Sequence, residues 1–183
     1  MEEDTLYKLN EFSTEIYELD LSELEIEGVL NLKKFKKIQK IDCSHNSIKK
    51  ILGLTKNINY IDCSCNEIIR ISKIPEQLKN LNCSKNLIKS LDNLNDGITT
   101  LNCSFNEIKK LNNLPSSLIY LDCSWNKIKN LDFLPNSLLH LICTNNHISV
   151  LDNLPNTLEI LDCKLNKIKN LNNLPILIKY FEK

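Results

Sequence analysis

A chain of 183 residues with 42% hydrophobic content is long enough to enclose one sizeable core. Its 23 basic and 23 acidic side chains cancel, which removes the global field that steers proteins to nucleic acid or anionic membranes. The acidic amino terminus, MEEDTLYKLN, has no apolar signal region, and no apolar run approaches the roughly 18 residues a membrane span needs. The expectation is a soluble cytoplasmic protein, in its own cell or a host's, with neither nucleic acid nor membrane as partner.

In chain order, residues 1–15 are expected to form an N-terminal cap in which Leu6, Leu9 and Phe12 share one side of a short amphipathic segment. Residues 16–37, IYELDLSELEIEGVLNLKKFKK, make a longer first unit, with Leu21 and Leu24 at places that later units give to cysteine and asparagine. Residues 38–177 hold seven units of 20 residues, marked by Cys43, Cys63, Cys83, Cys103, Cys123, Cys143 and Cys163. Their frame reads LxxLxCxxNxIxxLxxLP, as in Leu118, Leu121, Cys123, Asn126, Ile128, Leu131 and Leu134. Such a fixed period is the mark of a solenoid, whose units bury their apolar faces on their neighbours. Leu121 and Cys123 flank Asp122 as in a short strand, so each unit reads as one strand, a turn and a return path. Residues 178–183 begin a truncated unit, with Ile178 and Phe181 in the apolar places and only Glu182 and Lys183 as polar cover; its edge is expected to be open to pairing. The whole reads as a single solenoid domain.

The repeat resembles the leucine-rich repeat, and its length and recurrent LP are similar to the short repeats of bacterial effector proteins. Leucine-rich-repeat proteins of large DNA viruses are also similar, and the abundance of Asn, Lys and Ile suits an AT-rich genome. The resemblance implies an α/β-class leucine-rich-repeat solenoid, a right-handed superhelix with a curved parallel sheet on its concave face. Independently, 20 residues leave too little chain for a full return helix, and Pro75, Pro115, Pro135, Pro155 and Pro175 disfavour one. The convex segments should be extended or 3₁₀.

Stacking in register lays each residue on its equivalent one unit away. Asn46, Asn66, Asn86, Asn106, Asn126, Asn146 and Asn166 then form a ladder whose amides satisfy backbone groups where the chain leaves the strand. The seven frame cysteines face inward as small apolar core residues. In-register strands about 4.8 Å apart are too far for unstrained disulfides, and unbridged thiols fit a reducing compartment. Along the strand, Tyr120, Asp122 and Ser124 are expected to face solvent.

Cys65 stands apart on the solvent side, between His45 and Lys85 of the adjacent units. A cysteine-dependent enzyme using Cys65 and His45 is one alternative, but no glycine-rich loop or pocket-forming insertion accompanies them. Asp20, Asp42 and Asp62 share a column continued by Asn82, Asn102 and Asp122, where stacked carboxylates can hold a cation or raise one another's pKa, with Lys40 as a balancing charge. Lys49, Lys89, Lys109, Lys129 and Lys169 form a column past the turn, interspersed with Asp92, Asp132 and Asp152 as a solvated edge.

The concave face carries large groups that a folded monomer has no core reason to keep. Tyr60, Tyr120, His140, Ile160 and Tyr180 share one column, Phe105, Trp125 and Leu165 another, and Ile142 replaces the usual Asp or Asn. Exposed aromatic clusters mark interaction surfaces. The sequence thus reads as a non-enzymatic interaction module, without catalytic residues, cofactor or metal. It is expected to hold a protein or peptide partner on Phe105, Tyr120, Trp125, His140 and Ile142, with Asn102 and Asp122 giving polar direction. A structural or regulatory solenoid that assembles through its C-terminal edge is the other alternative; the expected state is a monomer or weak homo-oligomer.

Overall fold

The computed structural model describes residues 9–92, 94–170 and 174–182. Nine strands of three residues stack in parallel: β1 (Glu18–Asp20), β3 (Lys40–Asp42), β5 (Tyr60–Asp62), β6 (Asn80–Asn82), β7 (Thr100–Asn102), β8 (Tyr120–Asp122), β9 (His140–Ile142), β10 (Ile160–Asp162) and β11 (Tyr180–Glu182). Register follows the repeat: Glu18 pairs with Lys40 across the longer first unit, and Lys40 with Tyr60 across the next. In each of these nine strands except β11 the middle residue is buried and its neighbours lie on the open face. The cysteines follow immediately and are buried from Cys43 to Cys163, so leucine or isoleucine and cysteine alternate as adjoining ribs of one core.

That core is closed by the asparagine ladder. Asn106 Nδ2 donates to the carbonyls of Cys83 at 3.0 Å, Cys103 at 3.1 Å and Ser104 at 3.1 Å, while its Oδ1 accepts from the Ile88 N–H at 2.9 Å. The same four bonds recur at Asn66, Asn86, Asn126 and Asn166. One planar amide, with two donors and a two-lone-pair acceptor, therefore couples two successive units. Asn46 begins the series on the Leu21 carbonyl, 2.8 Å away, as expected if Leu21 stands in the cysteine place.

Among the described residues the return path contains no helix, and turns take its place. The N–H of Leu118 reaches back to the Pro115 carbonyl at 3.1 Å, and Leu78, Leu138, Leu158 and Ile178 repeat that closure on their prolines. A second polar ladder follows, which the frame did not predict. Ser117 Oγ donates to the Ile98 carbonyl, Ser137 to Leu118 and Thr157 to Leu138, at 2.8 to 2.9 Å for the first and last and 2.7 Å for Ser137.

The first two units depart from this pattern in a way the repeat frame also did not predict. β2 (Glu27–Asn31) and β4 (Ser47–Leu52) form a separate two-stranded parallel sheet on the return path, with a bulge between Gly28 and Val29. Gly53 ends β4 at φ +78°, and a Cβ there would lie 2.5 Å from the Lys33 amide nitrogen, so only glycine fits. Leu30, Leu32 and Phe35 of the longer unit are fully buried, with Leu9 buried and Phe12 packed against the cluster. Lys34 Nζ ties the Leu9 carbonyl over this end. Leu6 and Lys183 lie outside the described residues.

Two outcomes test this arrangement. Asn106→Leu is expected to lose at least about 2 kcal/mol in denaturant unfolding, because it strands buried backbone groups at about 1–3 kcal/mol each. Thr55 occupies the proline place of its unit, and its Oγ1 is buried without a hydrogen-bond partner. Thr55→Pro is therefore expected to raise stability by about 1 kcal/mol, by removing that orphan hydroxyl and restricting the unfolded chain.

Candidate functional site

The open face of the sheet is built by Asx turns at most of the strand exits. Asp122 Oδ1 accepts from the N–H of Ser124 at 2.9 Å and from its hydroxyl. Asp62 serves Ser64 in the same way, and so do Asn82 for Ser84 and Asn102 for Ser104. Ser124 is consequently buried, contrary to the solvent-facing place expected from strand alternation. Alternation stops because the strand is only three residues long and a turn follows it. The next residue then takes a left-handed conformation in every unit: His45, Cys65, Lys85, Phe105, Trp125, Asn145 and Leu165 have φ between +51° and +54°. This geometry is disfavoured for residues with a Cβ, by roughly 1–2 kcal/mol. Here it is held by ladder bonds such as Trp125 N–H to the Thr144 carbonyl, 2.8 Å. Since the strain occurs in all seven units, it belongs to the fold and does not single out a site.

That turn aims the variable side chain outward over the sheet. Phe105 and Trp125 stack face to face, with centroids 5.0 Å apart and planes 7° from parallel, a geometry in which each ring covers its neighbour. They nevertheless remain 43% and 46% exposed. The Lys85 ammonium lies 6.0 Å from the Phe105 centroid, at the outer limit of a cation–π contact. Tyr120 and His140 meet edge to face at 6.2 Å on adjacent strands. Ile142 follows on the His140 strand and lacks an oxygen for its own turn. Thr144 instead donates its hydroxyl to Asp162 Oδ1 of the next unit at 2.7 Å. The structure thus places Phe105, Tyr120, Trp125, His140, Ile142, Asn102 and Asp122 on three adjoining strands and their turns.

The carboxylate column is tied into the turns that follow the strands. Its oxygens cap turns, and Asn82 Nδ2 donates to Asp62 Oδ2 at 2.7 Å. Among the described residues no group of three or more His, Cys, Asp or Glu is arranged to hold a metal ion. The Ser22 hydroxyl and N–H that bond Asp20 lower its pKa, opposite to the mutual elevation considered from the sequence. Lys40 pairs with Glu18 at 2.7 Å and leaves the aspartates without the balancing role assigned to it. The strand positions of the open face carry Glu18, Asp20, Asp42, Asp62, Asp122, Asp162 and Glu182 against Lys40 alone. A chain neutral overall therefore presents an acidic row of strand positions, with Lys164 paired to Glu182 and Lys85 beside Phe105 on the turns that follow. A shallow depression of about 250 Å³ lies at the N-terminal end of this face, lined by Glu18, Asp20, Lys40, Asp42 and Tyr60. On the turn edge, Lys49 meets Glu67 at 3.7 Å and Lys89 meets Glu107 at 4.0 Å, so the lysine column is interleaved with acid.

All eight cysteines are free thiols, and seven of them are buried. Burial raises the thiol pKa at the ladder cysteines from Cys43 to Cys143, to about 12 at Cys83, because a thiolate there would lose its hydration. Cys65 is partly exposed on the left-handed turn, and no hydrogen bond joins it to His45 among the described residues. Among the described residues the geometry therefore brings together an aromatic platform and a row of acidic strand positions.

No family model and no curated protein matches the chain. Solved structures do. The leucine-rich-repeat domain of a Shigella effector matches 90% of this chain over 75% of its own length, with a TM-score of 0.73 and 23% identity. The internalin InlF of Listeria monocytogenes matches 83% over 50%, with a TM-score of 0.71 and 19% identity. InlJ of Listeria monocytogenes, whose functional domain includes a cysteine ladder, matches 82% over 40%, with a TM-score of 0.62 and 30% identity. This chain spans half or less of the length of the two Listeria proteins. With its parallel stack of one short strand per unit, the fold is a leucine-rich-repeat solenoid.

The thiol ladder carries a pH dependence. A thiol whose folded pKa lies above its unfolded value stabilises the fold fully below the unfolded pKa of about 8.5, and that contribution is lost as pH rises towards the folded value. The unfolding midpoint is expected to fall between pH 8.5 and pH 10.5 in urea titrations, with a smaller fall in Cys83→Ala, which has one fewer thiol to ionise.

Proposed function

We propose that this solenoid is a non-catalytic interaction module whose concave face holds a protein or peptide partner. The reading rests on one observation above the others: Phe105 and Trp125 are stacked into a rigid platform yet remain almost half exposed. Packing within the monomer has therefore fixed the rings without using up their apolar area. Preordered aromatic groups lose little entropy on binding and commonly dominate interfaces. Tyr120, His140 and Ile142 extend the platform, and Asn102 and Asp122 supply polar direction from its margin. The structural neighbours include a bacterial effector domain, which supports a binding role of this general kind. The free thiols suit a reducing compartment, so the cytoplasm of the producing cell or of a host is the proposed place of action.

A second reading is favoured by the far end. Ile176, Leu177, Tyr180 and Phe181 are exposed around β11, which pairs with β10 alone among the described residues. A self-association through this edge would make the protein an assembling scaffold. Sedimentation over a concentration range separates the two readings, since edge pairing requires a concentration-dependent increase in mass.

Affinity capture from native lysate, followed by direct titration of the captured partner, tests the first reading. Trp125→Ala is expected to stay folded, because the ring lies outside the core, and to weaken binding by about 2 kcal/mol or more. Lys129→Ala, on the turn edge, is expected to leave binding within about 0.5 kcal/mol of wild type. A Trp125→Ala protein that binds normally would remove the platform from the interface.

A further inference from the structure

The aromatic platform does not stand on a neutral surface. Towards the N-terminal end of the sheet, the columns that carry Tyr120 and Asp122 continue through Tyr60, Asp62 and Asp42 to the shallow depression beside Glu18 and Asp20. The single strand lysine there is held by Glu18, and among the described residues no lysine or arginine pairs with Asp42 or Asp62. Each of these aspartates uses Oδ1 for its turn, and Asp62 Oδ2 also accepts from Asn82 Nδ2, which leaves Asp42 Oδ2 as the more open acceptor. Partial burial, with the nearby Asp62 and Asp42 charges added to it, raises the Tyr60 pKa. Tyr60 itself is exposed enough to lie against a ligand.

Resting on the concave-face reading above, the geometry points to a cationic partner: an extended peptide segment that sets an arginine or lysine on Asp42, Asp62 and Tyr60 and an apolar side chain on Phe105 and Trp125. The spacing follows from the sheet. Three strand steps separate β5 from β8, and at about 4.8 Å each they span roughly 14 Å. An extended peptide advances about 3.3 Å per residue, so the cationic and apolar residues stand about four positions apart. A guanidinium between a carboxylate pair and a tyrosine ring gains charge-assisted hydrogen bonds and a cation–π contact. The same surface repels acidic segments and the phosphate backbone of nucleic acid.

The fold supplies its own conservative test. Asn82 and Asn102 occupy the aspartate column and keep the turn to Ser84 and Ser104, so Asp42→Asn with Asp62→Asn removes charge while retaining the Oδ1 acceptor, and it gives up only the bond from Asn82 Nδ2 to Asp62 Oδ2. Full-length wild type, this double variant and Trp125→Ala are each panned against a random dodecapeptide display library, and selected peptides are synthesised and titrated. Wild type is expected to select a lysine or arginine about four residues from an aromatic or aliphatic residue. The double variant is expected to lose the cationic preference, retain the apolar one, and bind the wild-type peptides roughly three- to tenfold more weakly. Selection of neutral or acidic peptides by wild type, or an unchanged preference in the double variant, overturns the cationic partner and leaves the aromatic platform standing. Recovery of no peptide by wild type, or an unaltered selection by Trp125→Ala, overturns both.

Discussion

The asparagine amide at the strand exit is the interaction on which the rest of the structure depends. A unit of 20 residues has too few atoms to bury a core alone, and its strand of three residues leaves most of its backbone groups unpaired. Asn106 resolves both problems by bonding to carbonyls of two successive units and accepting an amide of the preceding one. Replacing water at those groups permits the leucine and cysteine ribs to pack dry. It also sets register, because the amide reaches its four partners only when the units are aligned residue for residue.

Register has a consequence for the open face. The turn that presents the asparagine to the core bends the chain into the left-handed region one residue earlier, which throws that residue outward. The ladder bonds oppose this local cost and make the outward position independent of side-chain type: histidine, cysteine, lysine, phenylalanine, tryptophan, asparagine and leucine all occupy it. Inward and outward positions are thus divided within six consecutive residues. Leu121, Cys123, Ser124 and Asn126 maintain the solenoid, whereas Asp122 and Trp125 meet solvent.

Stacking then converts sequence variation into surface chemistry. Residues 20 positions apart become neighbours, so Phe105 and Trp125 build a platform that neither could form within its own unit. Like charges are gathered by the same operation, and the acidic face coexists with a neutral chain. Serine hydroxyls and N–H groups at the turns stabilise carboxylates such as Asp20, which helps the fold tolerate their accumulation.

The sequence by itself determined the unit length, the inward leucine and cysteine ribs, the asparagine ladder and the columns of variable residues, because exact repetition forces equivalent residues into equivalent surroundings. It also placed Phe105 beside Trp125, since register alone makes them neighbours. Tertiary structure decided what repetition leaves open. Ser124 turned inward because a carboxylate and a turn, not strand alternation, govern that position. Lys40 went to Glu18, and the small sheet of β2 and β4 arose where the first unit carries extra residues and has no equivalent to copy. The ring separation, the half-exposure of the platform and the burial of each hydroxyl likewise depend on distances between units. A one-dimensional pattern specifies which residues meet, but the angle, depth and partner of each contact follow only once the units are packed.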